Sequence, residues 1–136
     1  MDERLRILGR GTAFTLCSPV NKKGKCSVEK ELGKYERANQ KGYERIMTLL
    51  MRVADEGVDG LDTTLVRPLG DGLLELKERR GLFRITGFYD KNRRQFIILN
   101  SAWKKKPGKH QDEKIKAARR AMEEYHRQGG LPLEDE

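Results

Sequence analysis

The fold of this chain is decided by residues 72–103, which read GLLELKERRGLFRITGFYDKNRRQFIILNSAW. Leu74 and Leu76 alternate with charged residues, and a second alternating stretch begins at Phe83. Because side chains alternate between the two faces of a strand, each stretch predicts a half-buried β-strand. The apolar run Phe96–Leu99 is typical of a strand that is covered on both faces. The connections between these segments are short and predict antiparallel hairpins.

Helices are predicted on both sides of these strands. Apolar residues at i, i+3, i+4 and i+7 predict a core-facing helix around residues 46–53. A break at residues 38–42 separates this helix from an earlier one that begins at Ser27. Before both helices, residues 12–16 alternate as a half-buried strand does, and a last helix is predicted to begin near Gln111.

The predicted fold is α+β. An N-terminal strand and two helices pack on an antiparallel sheet of about four strands, and a C-terminal helix follows. A chain of 136 residues fits a single domain, 1–136, with an ordered core at about residues 11–128. The acidic C-terminal tail, residues 129–136, is expected to be flexible. With one sheet face covered by the helix pair, the other face is left to present Lys77 and Arg84.

Positive charge is concentrated in the second half of the chain. The net charge is +8, and between Glu75 and Arg127 there are 16 Lys and Arg residues against 7 Asp and Glu residues. Clustered cations attract polyanions because the neutralisation of phosphates releases counterions. This distribution favours a nucleic-acid partner, and a merely solvated basic face is the alternative.

The sequence gives no sign of membrane insertion or secretion. No apolar run approaches the ~18 residues that a bilayer-spanning helix needs. The N-terminal residues 1–6 lack the apolar stretch of a signal peptide. Cys17 and Cys26 have no histidine near them, so two reduced thiols are expected rather than a zinc site or a disulfide. We therefore expect a cytoplasmic protein that uses no metal and no cofactor.

Five stretches, in a fixed order, carry a resemblance to a known family. They are Gly24–Glu29, Val66–Lys77, Phe83–Ile85, Trp103–Lys106, and the pair Ile115 and Ala118. The second is similar to a strand written dGlwElR, the third to yRi, and the fourth to F-x-K-K at the end of the last strand. Together they resemble the RelE/HigB-type toxins of type II toxin–antitoxin systems, in particular the phage-associated branch, over about four-fifths of the chain.

The resemblance implies a RelE-like fold and cleavage of mRNA at the ribosome by attack of a ribose 2′-hydroxyl. Such a reaction needs a proton acceptor, cations for the charge that builds on phosphorus, and a proton donor. The implied partners are mRNA, the ribosome and a cognate antitoxin protein. The catalytic candidates are Lys77, Arg84, Lys105, Lys106 and His110. The RNA-binding candidates are Arg79, Arg80, Trp103, Lys104, Lys109 and Tyr125.

Several candidates also have a structural alternative. Arg84 is the first choice, and its alternative is an ion pair with Glu75 across the hairpin; the two roles can coexist. Lys77 stands where the family more often has arginine, so it keeps the charge but loses two-pronged phosphate binding. His110 is a candidate because the unperturbed pKa of an imidazole lies near neutrality, and its alternative is a solvated loop histidine. For the two aromatic candidates the alternative is core packing.

Two other function classes stay open. The residues at Lys77, Pro107 and Gln111 depart from the family pattern, which keeps a non-catalytic RelE-like module that binds nucleic acid or protein as an alternative. A gyrase-inhibiting relative is another, because fold does not fix function. The lysine run Lys104–Lys106 suits RNA chemistry better than gyrase inhibition.

Overall fold

The computed structural model of this chain describes residues 3–80, 82–103 and 110–134, and for residues 110 and 111 it describes the backbone alone. In chain order its elements are β1 (Arg4–Arg10), β2 (Thr15–Val20), α1 (Ser27–Ala38), α2 (Gln40–Glu56), β3 (Val66–Gly70), β4 (Leu73–Lys77), β5 (Phe83–Asp90), β6 (Gln95–Trp103) and α3 (His110–Arg127). The strands form one six-stranded sheet in the order β1-β2-β6-β5-β4-β3. The α+β class predicted from the sequence is confirmed.

The sheet differs from the prediction in strand number and in direction. It has six strands instead of about four, because β1 and β3 are added at its two edges. It is mixed rather than antiparallel, because β2 runs parallel to β6. β1 precedes residue 11, where the predicted core begins. Charged and apolar residues alternate over only four positions, Arg4 to Ile7, and Leu5 is buried, so the strand signal is present but short.

The two predicted N-terminal helices are confirmed, and one residue separates them. Asn39 lies between α1 and α2, and its side-chain Oδ1 accepts a hydrogen bond from the backbone N–H of Gly42 at 2.9 Å. This contact caps α2. Tyr35 lies so close to Gly42 that a side chain at position 42 would collide with the tyrosine hydroxyl. The glycine therefore lets the two helices meet tightly, and their apolar sides cover one face of the sheet.

The third helix covers part of the other face. Ala118, Met122 and Tyr125 of α3 form a buried cluster with Phe88 of β5 and Ile97 of β6. The prediction that this face is left uncovered is therefore wrong for β5 and β6. The apolar side of the amphipathic helix α3 packs on the apolar residues of these two strands. At the other end of the same face, Lys77 and Arg84 are partly exposed.

The segment after α3 lies along the edge strand β1. Leu5 donates its backbone N–H to the carbonyl of Pro132 at 2.8 Å, and its own carbonyl accepts from the N–H of Glu134 at 2.9 Å. Leu131 is buried, and the Glu134 carboxylate binds the Arg6 guanidinium at 2.7 Å. These contacts protect an edge that would otherwise present unpaired backbone groups. The expected flexibility of residues 129–136 stays a prediction about motion.

Replacing Leu131 by alanine tests how firmly this segment is held. We expect a loss of about 2 kcal/mol in the free energy of unfolding, because a buried leucine is truncated. We also expect faster hydrogen exchange at the Leu5 amide, whose acceptor lies in the next residue of the segment. Denaturant unfolding and amide exchange measure the two effects. The control is Gln128→Ala at an exposed site, which should change the free energy of unfolding by no more than about 0.5 kcal/mol. An unchanged Leu5 exchange rate in Leu131→Ala would contradict the prediction that Leu131 holds this segment against β1.

Candidate functional site

Four neighbouring strands align polar side chains on one face of the sheet. Lys77 of β4 is the register partner of Arg84 of β5. One step along the same face, Glu75 pairs with Thr86, and Thr86 pairs with Asn100 of β6. Arg67 of the edge strand β3 is the register partner of Glu75. We call the set Arg67, Glu75, Lys77, Arg84, Thr86 and Asn100 the basic cleft.

The basic cleft lies on the α3 face, beside the first turns of that helix. The Asn100 side chain donates from Nδ2 to the backbone carbonyl of Lys114 at 2.8 Å. Near the other end of α3, the Tyr125 hydroxyl donates to Asp90 at 2.6 Å. The helix therefore runs antiparallel to β6, and its N-terminal end points towards Arg84. A helix N-terminus carries partial positive charge, which adds to the attraction for anions at this end of the sheet.

A buried carboxylate organises the arginines of the cleft. Glu75 is 2% exposed, and its Oε1 lies 3.1 Å from Nη2 of Arg67 and 3.3 Å from Nη1 of Arg84. The structural alternative for Arg84, an ion pair with Glu75 across the hairpin, is thus present. One carboxylate balances two guanidiniums, so the group keeps a net positive charge, and Lys77 adds to it.

Arg84 is held deeper in the sheet than Arg67. The Arg84 side chain is 17% exposed, whereas that of Arg67 is 58% exposed. The buried Nε of Arg84 has no hydrogen-bond partner among the residues that the structure describes. The same holds for the buried Oδ1 of Asn100. Unpaired buried polar atoms are costly, and three others, in Tyr35, Tyr89 and Gln95, lie outside the cleft.

Two of the RNA-binding candidates from the sequence lie apart from the cleft. Trp103 is on the opposite sheet face, where its ring meets Tyr35 edge-on at 5.3 Å. Tyr125 is buried at the far end of α3, bonded to Asp90, and about 20 Å separates Asp90 from Arg84 along β5. Burial and the bond to Asp90 raise the pKa of Tyr125 well above its usual range. Both aromatic rings therefore have the environment of core residues, which was the alternative to RNA binding.

The remaining candidates belong to the turn after β4 and to the segment before α3. Arg79 and Arg80 are exposed in the β4–β5 turn. Arg79 lies at a cavity of about 470 Å³ between this turn and α2, on the face opposite the cleft. Lys104, Lys105, Lys106 and Lys109 lie outside the described residues. His110 begins α3, and its side chain is likewise outside the described part.

The sequence reasoning missed three members of the cleft, which are Arg67, Thr86 and Asn100. Asn100 follows the apolar run of β6, and a bulge between Thr86 and Gly87 sets which β6 residues face Arg84. That bulge is not visible in a local pattern. Arg67 belongs to an edge strand that was not predicted as a separate element. Strict alternation along β6 would have placed Asn100 on the opposite face, together with Phe96 and Ile98.

Other chemistry has little support in the described residues. Among residues 3–80, 82–103 and 112–134, no three His, Cys, Asp or Glu side chains are grouped as a metal site requires. Cys17 and Cys26 are both buried free thiols. Burial raises the pKa of Cys17 to about 11, so this thiol stays protonated at neutral pH. Within the same part of the chain, no helix has the length and apolar character needed to cross a bilayer.

Comparison with known families adds one match. The family model described as "Phage derived protein Gp49-like (DUF891)" matches residues 30–123. This range runs from α1 into α3 and includes every residue of the basic cleft. None of the curated proteins matches the chain.

Proposed function

We propose a function from one premise: this chain belongs to the Gp49-like family of phage-derived proteins. The family is associated with toxin–antitoxin systems and with RelE-like toxins. This membership supports the role of a toxin, with an antitoxin protein as its partner. The finer proposal is that the chain is a RelE/HigB-type, ribosome-associated mRNA endoribonuclease that acts in the cytoplasm.

The alignment of Lys77 with Arg84 is the observation that carries the endoribonuclease proposal. In the proposed reaction the ribose 2′-oxygen attacks the adjacent phosphorus, and the bond from phosphorus to the 5′-oxygen breaks. The products are a 2′,3′-cyclic phosphate and a 5′-hydroxyl. Lys77 and Arg84 stabilise the negative charge that develops on the non-bridging oxygens.

The proton transfers are assigned to the segment that joins β6 to α3. Lys105, Lys106 and His110 can supply a proton acceptor for the 2′-hydroxyl and a proton donor for the 5′-oxygen. A lysine serves in this role when neighbouring cations lower its pKa. β6 ends at Trp103, the register partner of Phe83, which directly precedes Arg84. The residue that precedes the connecting segment therefore lies beside the basic cleft.

The proposal is tested on programmed ribosomes. Purified protein is incubated with them, and new 5′ ends on the message are mapped by primer extension. We expect cleavage by the wild type and a reduction of about 10-fold for Lys77→Ala, because one cation near the developing charge is lost. Lys34→Ala, which removes an exposed lysine from α1, is the matched control and should cleave as the wild type does.

Other results would assign the chain to a different class. An intact message with the wild-type protein would refute the endoribonuclease proposal. RNA binding without cleavage would indicate a non-catalytic module. DNA breaks that depend on gyrase would indicate the gyrase-inhibiting class.

A further inference from the structure

The group formed by Arg67, Glu75 and Arg84 spans three adjacent strands. Arg67 contacts Oε1 of Glu75 through Nε at 3.2 Å and through Nη2 at 3.1 Å. Arg84 reaches the same oxygen through Nη1 at 3.3 Å. Two guanidiniums thus converge on one oxygen of a carboxylate that is 2% exposed. Without the carboxylate, their like charges would push them apart.

The contact with Glu75 leaves three of the five N–H donors of Arg67 unused by that carboxylate. Its contact uses the edge formed by Nε and Nη2. The other edge, formed by Nη1 and the second proton of Nη2, belongs to a side chain that is 58% exposed. A guanidinium edge of this kind binds a phosphate through two parallel hydrogen bonds. Arg67 can therefore keep its contact with Glu75 and bind an anion at the same time.

We infer that Arg67 binds the backbone of single-stranded RNA beside Arg84, and that Glu75 is a positioning residue that holds both guanidiniums on this face. The inference rests on the proposed function, since it assigns the anion as an RNA phosphate. Arg84, the deeper residue, contacts the phosphate that reacts. Arg67, at the rim on β3, contacts a neighbouring phosphate of the same strand.

The binding role of Arg67 is tested without any cleavage step. A labelled 2′-O-methyl RNA lacks the attacking hydroxyl, and fluorescence anisotropy gives its affinity at several salt concentrations. Each phosphate contact contributes about 0.7 to the slope of log K against log salt concentration for a single strand. We expect Arg67→Ala to lower the magnitude of the slope by about 0.7 relative to the wild type.

The matched control is Arg52→Ala, which removes an exposed arginine from α2 on the other face of the sheet. We expect it to leave the slope at the wild-type value. Equal slopes for Arg67→Ala and the wild type, or equal losses in both variants, would overturn the assignment of Arg67. Because the readout is binding, a protein that binds RNA in this way and cleaves nothing would refute the proposed enzyme and leave the assignment of Arg67 standing.

The positioning role of Glu75 predicts opposite changes in binding and in turnover. Glu75→Gln removes a negative charge from the cleft, so charge alone would make RNA binding tighter and cleavage no slower. Loss of the held geometry instead predicts a kcat about 10-fold lower, with binding of the 2′-O-methyl RNA as tight as in the wild type or tighter. An unchanged kcat would overturn the positioning role.

A thermal melt shows whether Glu75→Gln folds. If it does not, Arg67→Lys gives the second measurement, because it keeps the charge and loses the two-edged geometry. It should retain the wild-type salt slope and lower kcat if the contact with Glu75 positions Arg84. Wild-type kcat in a folded Arg67→Lys protein would contradict the idea that the contact between Arg67 and Glu75 positions Arg84.

Discussion

Replacement of Arg84 by alanine is expected to lower kcat for mRNA cleavage by about 100-fold or more, because a cation is lost where charge develops in the transition state. The Arg84 side chain forms an ion pair with the buried Glu75, and Lys77 is the register partner of Arg84 on the next strand. The loss should fall on kcat more than on KM, since the interaction strengthens as the charge on the phosphate grows. Single-turnover cleavage on programmed ribosomes measures the effect.

Two further variants separate chemistry from folding. Arg84→Lys keeps the charge and should show an intermediate loss, because lysine cannot form the paired hydrogen bonds of a guanidinium. Arg37→Ala, at an exposed site in the last turn of α1, should retain wild-type cleavage. Cleavage by folded Arg84→Ala within twofold of the wild-type rate would remove Arg84 from the site and leave its ion pair with Glu75 as its only role.

The second large effect is expected on stability, at the turn between β4 and β5. The side chain of Glu78 is fully buried, and its Oε2 binds Nε of Arg45 in α2 at 2.8 Å. Its Oε1 accepts the backbone N–H of Leu82 at 2.9 Å. Glu78→Gln leaves the Arg45 charge without its partner, so we expect the free energy of unfolding at pH 7 to fall by about 2–4 kcal/mol. Urea unfolding measures this difference.

The same contact predicts how stability changes with pH. Burial raises the pKa of Glu78, but the hydrogen bonds from Arg45, Leu82 and Arg80 outweigh it, so the pKa lies below the ordinary value of 4.5. A folded-state pKa below the unfolded one gives stability that is present above about pH 4.5 and is lost as the pH falls through the folded value. The stability gap between the wild type and Glu78→Gln should therefore narrow on acidification.

The exposed Glu44→Gln in the same helix as Arg45 is the control for this prediction. It should change stability by no more than about 0.5 kcal/mol at pH 7. Its difference from the wild type should also stay small in acid. A gap for Glu78→Gln that is constant from neutral pH to pH 3 would show that the carboxylate charge of Glu78 does not stabilise the fold.

Local periodicity was enough to predict the elements that bury a full face. The stripe around residues 46–53 gave α2, and the alternation from Phe83 gave β5. It was not enough for β1, whose place depends on pairing with β2 and on the segment around Leu131. Nor did it give the parallel contact between β2 and β6, since strands far apart in the chain leave no joint pattern in the sequence.

The site was predictable to the extent that hairpin geometry determines it. Strand alternation and short turns predicted that Lys77 and Arg84 share a face, and the register places them side by side. The partners of Arg84 were harder to find. Glu75 was predicted only as the ion-pair partner in the structural alternative for Arg84. Asn100 faces the cleft because of the bulge beside Gly87. At Gly87 the carbonyl of Ile97 leaves no room for a side chain.

The parallel pairing of β2 with β6 also bears on when the protein can fold. Thr15 of β2 pairs with Gln95 of β6, so the hairpin of β1 and β2 can join the sheet only when a strand about 80 residues later has been synthesised. At a synthesis rate of about 5–20 residues per second, that wait is roughly 4–16 s, far longer than a hairpin needs to form. β6 also supplies Asn100 and the neighbour strand of Arg84. A newly made chain therefore acquires its basic cleft only after residues 95–103 have left the ribosome.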